Sequence, residues 1–252
     1  MWKAHGRMTV MPKSLPAIVS DAAFFVDFDG TLVDIAAMPD LVHVEPRVGN
    51  LLEALTHRLK GAVAVITGRP LGTVDAFLAP LKLPVAAEHG LVRRDAAGGL
   101  HVEDSALASM NTACNRLGGF EAEHEGVILE RKRVSVALHY RLRPELGEAC
   151  EAAAMAAIKG DPALEVLRGK MVFEVRPKGL NKGTAVSAFL AEMPFQGRLP
   201  IFAGDDVTDE DAFHVVNALG GISIKIGDED TIAHYRTDRD GLFAWAATLG
   251  MR

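Results

Sequence analysis

Apolar residues fall along the chain in short runs separated by helical patterns. Phe24–Asp27 (FFVD) reads as a first buried strand, and Pro46–Lys60 as a helix whose Val48, Leu51, Leu52, Leu55 and Leu59 recur at i, i+3, i+4 spacing. Ala62–Thr67 (AVAVIT) is a second strand, Gly72–Leu81 another helix, and Pro84–Glu88 begins a third strand. The turn Asp95–Gly99 separates Leu91–Arg93 from Leu100–Glu103, which predicts a hairpin. Near residue 119 the style changes. Gly126–Arg133, Val134–Tyr140, Ala163–Leu167 and Met171–Arg176 read as strands around a single helix, Glu145–Ile158. Alternation then returns with a helix from Lys182 to Glu192, a strand from Leu199 to Ala203, a helix from Asp209 to Leu219 and a strand from Ile222 to Ile226. The expectation is an α/β fold with a Rossmann-like parallel-sheet core, contributed by 21–118 and 179–252, and an inserted α+β domain at 119–178. Residues 1–20 read as a loose N-terminal extension.

Composition narrows the possibilities. With 252 residues, 49% of them apolar, the chain can bury a proper core without a metal or disulfide staple. A net charge of −6 argues against generic binding to nucleic acid or an anionic membrane. Two cysteines, Cys114 and Cys150, fit a reducing compartment, and no apolar run reaches the length that spans a bilayer. The first twenty residues lack the apolar stretch of a secretory signal, since Pro12 and Pro16 interrupt it. A cytoplasmic, globular protein is expected, with a monomer left open as one state in solution. GxGxxG and GxxxxGK[ST] are both absent, which removes nicotinamide dehydrogenases and P-loop NTPases as leading readings.

Four elements carry chemistry. Asp27-Phe28-Asp29-Gly30-Thr31 follows the first strand directly, where open α/β sheets bind their ligands. Gly204-Asp205-Asp206-Val207-Thr208-Asp209-Glu210 follows another apolar strand. Two acidic clusters can converge only if something offsets about 4 kcal/mol of repulsion per close pair. A hard cation does so, and oxygen-only ligands point to Mg²⁺. Thr67, at the end of a strand, and Lys182, at the start of a helix, supply the hydroxyl, ammonium and helix N-terminus of a phosphate site. Together these are the parts for phosphoryl transfer through an aspartyl phosphate. Singly, each has an ordinary explanation: Asp-Gly is a common turn, and acidic residues favour helix starts. A calcium loop fails, because Leu32 and Met38 stand where glycine and glutamate are needed.

This order of motifs resembles the haloacid-dehalogenase superfamily. The resemblance implies that Asp27 is the nucleophile and Asp29 the general acid/base, with Thr67 and Lys182 orienting and neutralising the phosphoryl group. It makes Asp205 the metal ligand beside the Asp27 carboxylate and the Asp29 carbonyl, and Asp209 an outer acidic partner. It also makes the insertion a cap that closes over the site, excludes water and selects the leaving group. Within the insertion, Glu130-Arg131-Lys132, His139-Tyr140-Arg141 and Phe173-Glu174-Val175-Arg176-Pro177, with Ala87–Gly90 (AEHG) in the core, look like the trehalose-6-phosphate phosphatase family. That likeness implies that Glu130, Lys132 and Glu174 grip a disaccharide. Arg69 is a further substrate-binding candidate, while Glu88, His89 and Arg141 match family positions without an assigned contact. The implied reaction is trehalose 6-phosphate plus water to trehalose and inorganic phosphate. Phosphatases of sucrose phosphate or mannosyl phosphoglycerate, a silent sugar-phosphate sensor and a phosphotransferase stay open as alternatives.

Overall fold

The computed structural model describes residues 15–16, 21–35, 42–131, 135–169 and 171–250, without the side chains of 104–106. The chain runs β1 (Ala22–Val26), α1 (Pro46–Arg58), β2 (Val63–Ile66), α2 (Leu71–Leu78), β3 (Val85–Ala87), β4 (Val92–Arg94) and β5 (Leu100–Val102). It continues with α3 (Asp104–Glu123), β6 (Ile128–Arg131), β7 (Val136–His139), α4 (Gly147–Ala157), β8 (Leu164–Gly169) and β9 (Val172–Pro177). The remainder is α5 (Lys182–Leu190), β10 (Leu199–Gly204), α6 (Glu210–Ala218), β11 (Ile222–Ile226), β12 (Tyr235–Thr237) and α7 (Arg239–Ala246).

An eight-stranded sheet in the order β12-β11-β10-β1-β2-β3-β4-β5 forms the core. It is parallel from β12 to β3, and the predicted hairpin β4–β5 extends it antiparallel. β1 sits between β10 and β2, and all five of its residues are buried, as a central parallel strand covered on both faces requires. That position also aligns the carboxyl ends of β1, β2 and β10 along one rim.

The second sheet is antiparallel, in the order β6-β7-β9-β8. Alternation along β9 sends Phe173 and Val175 into a second hydrophobic cluster with Met110, Ala113 and Leu117 of α3 and Cys150 and Ala154 of α4. The opposite face has no helix from this cluster. Sequence pattern alone gives no helix between Glu103 and Gly126, yet α3 spans 20 residues there, so the packing around the second sheet starts at Met110, ahead of position 119. β12 and α7 were likewise not expected. Of the N-terminal extension only Leu15 and Pro16 are described: Leu15 packs on the core, and the Pro16 carbonyl accepts a 2.8 Å hydrogen bond from the Trp245 indole. Among the described residues no helix is long and apolar enough to cross a membrane.

Candidate active site

The carboxyl ends of β1 and β10 bring the two acidic segments together. The Asp27 N–H donates to the Ala203 carbonyl at 2.9 Å, which extends the β1–β10 ladder one residue and aims the Asp27 carboxylate over the rim. From across the cleft Lys182 arrives at the first position of α5, where Asn181 and Thr184 form a capping box. Its ammonium donates to Asp27 Oδ1 and to Asp209 Oδ1, each at 2.7 Å, with all three side chains buried. The other Asp209 oxygen accepts the N–H groups of Asp205 and Asp206 at 2.9 Å, so Asp209 folds the loop that presents Asp205. Asp205 in turn accepts from the Thr31 hydroxyl at 3.1 Å. Gly30 makes this approach possible: its φ is +81°, and a Cβ there would lie 1.9 Å from Asp205 Oδ2.

The charges in this knot do not balance. Asp27, Asp205 and Asp209 bring carboxylate oxygens within 4.8 Å of one another, against the single ammonium of Lys182. Burial pushes the Asp27 carboxyl well above the usual range; Asp209 and Asp205 add to this, and Lys182 only partly opposes it. Burial and the neighbouring Asp209 charge raise Asp205 as well. Burial alone would lower Lys182, but the Asp27 and Asp209 carboxylates outweigh it and hold the ammonium charged. Two surplus negative charges on oxygen donors fit a hard divalent cation such as Mg²⁺.

Asp29 stands apart from this knot. The Arg69 guanidinium grips both its oxygens at 2.6 Å and lies 5.9 and 5.3 Å from the ring centres of Phe28 and Phe77, which stack on each other. Thr67, buried at the end of β2, accepts the Arg69 N–H on its hydroxyl at 3.1 Å.

On the second sheet, register places Glu130 opposite Ala137, Ala137 opposite Glu174 and Glu174 opposite Leu167. One row across four strands therefore carries both glutamates on the face that α3 and α4 leave open, two strand spacings or roughly 10 Å apart. Glu174 accepts from the Ser135 hydroxyl, and Glu130 pairs with His139 Nε2 at 2.9 Å. Glu174, Ser135, Leu167 and Arg176 form one wall of a cavity of about 390 Å³; Glu88, His89 and the 206–208 loop of the core form another. Glu130 does not reach that cavity, and Lys132 lies outside the described residues.

The model of the trehalose-phosphatase family matches residues 25–240 of this chain. The chain belongs to that family. Trehalose-6-phosphate phosphatase of Escherichia coli K12 is 39% identical over 91% of this chain and 86% of its own length. A probable trehalose-phosphate phosphatase of Sinorhizobium fredii is 44% identical over 81% and 77%. Among solved structures, trehalose-6-phosphate phosphatase of Aspergillus fumigatus superposes with a TM-score of 0.75 at 26% identity, covering 90% of this chain and 92% of the other. The fold is that of haloacid-dehalogenase-like hydrolases, with a cap set on the core.

For this trehalose-phosphatase family member the structure gathers Asp27, Lys182, Asp205 and Asp209 at one point, and sets Thr67 and the Asp29–Arg69 pair on the neighbouring loops. Three contributors were not assigned from sequence. Thr31 steadies Asp205, and its place in the Asp27–Thr31 motif was the available signal. Lys225, buried on β11, donates to the Asp205 carbonyl; a lysine inside the apolar run Ile222–Ile226 was its signal. Ser135, on Glu174, had none.

Proposed function

We propose that this chain hydrolyses trehalose 6-phosphate to trehalose and inorganic phosphate, with the phosphoryl group carried for part of the cycle on Asp27 and with Mg²⁺ as cofactor. The observation that carries the reading is the buried knot of Asp27, Asp205 and Asp209 on the Lys182 ammonium, in a chain of the trehalose-phosphatase family. The names of its relatives in E. coli and A. fumigatus support the substrate.

Asp27 attacks phosphorus in line, and the bond from phosphorus to the sugar oxygen breaks. Lys182 and the Thr67 hydroxyl take the charge of the transferred group. Asp29 protonates the departing sugar oxygen, then as a carboxylate draws a proton from the water that cleaves the aspartyl phosphate. Arg69, gripping both Asp29 oxygens, fixes its direction. The Asp27 and Asp205 carboxylates and the Asp29 carbonyl, with Asp209 bracing the loop, would hold Mg²⁺, which would supply positive charge against the anions that meet at phosphorus. Glu130, Lys132 and Glu174 hold the disaccharide, since carboxylates accept hydrogen bonds from sugar hydroxyls and lysine donates them.

Phosphate release from a substrate panel, with and without EDTA, tests the reading. The expected result is strong preference for trehalose 6-phosphate over sucrose phosphate, mannosyl phosphoglycerate and glucose 6-phosphate, abolished by EDTA and restored by Mg²⁺. Protein quenched in turnover should carry a hydroxylamine-labile phosphate that Asp27→Asn lacks. Equal turnover of glucose 6-phosphate would overturn the substrate assignment.

A further inference from the structure

Nothing in the reaction as described calls on Phe77, a half-buried aromatic side chain near the end of α2, yet it stands beside the group that aims Asp29. The Asp29 side chain lies on the loop after β1 and is 34% exposed. Among the described residues, Arg69 supplies every side-chain hydrogen bond to its carboxylate. An ion pair so close to solvent keeps one geometry only if a partner is already fixed. The root of Arg69 is fixed. Its N–H donates to the Thr67 hydroxyl at 3.1 Å, and its carbonyl accepts from the Glu88 N–H at 3.1 Å. The guanidinium, however, sits at the far end of a long side chain with many rotamers to lose.

Two rings fix that far end. Phe28 and Phe77 lie within 4° of parallel, with centres 5.9 Å apart. The guanidinium carbon of Arg69 is 5.9 Å from the first centre and 5.3 Å from the second, inside the range at which a cation is drawn to a ring face. Phe28 is buried and belongs to the motif that carries Asp27 and Asp29. Phe77 comes from outside that motif, on the helix that starts two residues after Arg69. Val74 and Leu78 of the same helix are buried in the core, and Asp75 binds Arg94 at the end of β4. The ring therefore stands on an anchored element. Arg69 is held at its root by the main chain, and at its tip by an aromatic pair and the carboxylate it directs.

We propose that Phe77 is a positioning residue for the proton transfer: with Phe28 it sets the plane of the Arg69 guanidinium, and Arg69 in turn aims the Asp29 carboxyl at the leaving oxygen. The inference rests on the proposed reaction, in which the Asp29 proton passes to the sugar oxygen as its bond to phosphorus breaks. The consequence is selective. A sugar oxygen leaves readily only when protonated, whereas p-nitrophenolate departs as a stable anion and needs no acid. The kcat/KM value covers only the steps up to that departure, so the later water-activating role of Asp29 does not enter it.

The test measures Tm and kcat/KM on trehalose 6-phosphate, phenyl phosphate and p-nitrophenyl phosphate for Phe77→Leu, Phe77→Tyr and the wild type. In Phe77→Leu the value for trehalose 6-phosphate should fall about 10-fold or more and that for phenyl phosphate about fourfold, while p-nitrophenyl phosphate stays within about twofold. Phe77→Tyr, which keeps the ring, should stay within about threefold of the wild type on all three. With Arg69→Ala in place, Phe77→Leu should lower the trehalose 6-phosphate value by less than about twofold further. Phe77→Met, which fills space without offering a ring face, replaces Phe77→Leu should that variant not fold. Equal loss on the three substrates overturns the assignment, whatever the Tm, and so does no loss in a folded variant without the ring. Loss in Phe77→Tyr as large as in Phe77→Leu overturns it too, as does a full further loss on the Arg69→Ala background. A wild type that turns over the aryl phosphates but not trehalose 6-phosphate removes the substrate reading alone, and the two aryl phosphates still decide the role of Phe77. One that turns over none of the three removes both.

Discussion

The rim of the core and the open face of the cap both gather charged side chains, but under opposite physical conditions. At the rim, Asp27, Lys182 and Asp209 are at most 6% exposed and bonded to one another, with oxygens left over for a cation. On the cap, Glu130 is half exposed and paired with a histidine, and Glu174 shares a serine hydroxyl. Buried charges interact strongly and are expensive to leave unpaired, so such a cluster is rigid and intolerant of change. A half-solvated sheet face holds each group weakly and can exchange protein partners for ligand hydroxyls at little cost. The division matches the two tasks of the proposed reaction: phosphorus chemistry needs fixed electrostatics, and sugar selection needs groups that can trade hydrogen bonds.

The comparison can be broken most severely at the rim. Asp27→Asn should lower phosphate release by roughly 10⁵-fold or more, because no other group there replaces the nucleophile; a loss of only a few-fold in a coupled phosphate assay would contradict the covalent route. Next in size, Lys182→Met leaves Asp27 and Asp209 facing each other in a dry site. It should destabilise the fold by about 3–5 kcal/mol in urea titration, with partial recovery on adding Mg²⁺. On the cap the effects should be smaller and selective. Glu174→Gln should reduce the kcat/KM ratio of trehalose 6-phosphate to p-nitrophenyl phosphate by about 10–100-fold while moving stability by less than about 0.5 kcal/mol. A cap substitution that unfolded the protein would erase the distinction.

The smallest effect lies away from both regions. Asp75 of α2 accepts two hydrogen bonds from Arg94 and one from Lys82, and these hold its carboxyl down to about 2 from an ordinary 3.8. A carboxyl lowered in the folded state contributes stability above its unfolded value and loses it as pH falls through the folded one. The wild type should therefore lose stability between about pH 4 and pH 2, and Asp75→Asn should remove that component at a cost of about 1 kcal/mol near neutrality, followed by thermal melts across pH.

Much of this was legible in the chain because the core is built from uniformly apolar strands, and a strand's end marks where ligands bind. FFVD and AVAVIT gave β1 and β2, and with them the places of Asp27 and Thr67. α3 was hidden because Met110, Ala113 and Leu117, at helical spacing, are diluted by Asn111, Asn115, Gly118 and Gly119, poor helix formers that tertiary packing overrides. β12 and α7 are too short, at three and eight residues, for periodicity to stand out. The grip of Arg69 on Asp29 and the bond between Ser135 and Glu174 join residues 40 and 39 positions apart, and no local pattern encodes such meetings.

β9 passes almost directly into α5. Glu174, which lines the cavity between cap and core, and Lys182, which holds the acidic knot, sit on one continuous stretch with only Lys178, Gly179, Leu180 and Asn181 between the end of the strand and the ammonium. Any swing of the cap must be taken up within those four residues or be felt at the lysine. On the proposed reading, the chain strings its sugar detector and its phosphate handle on the same short cord.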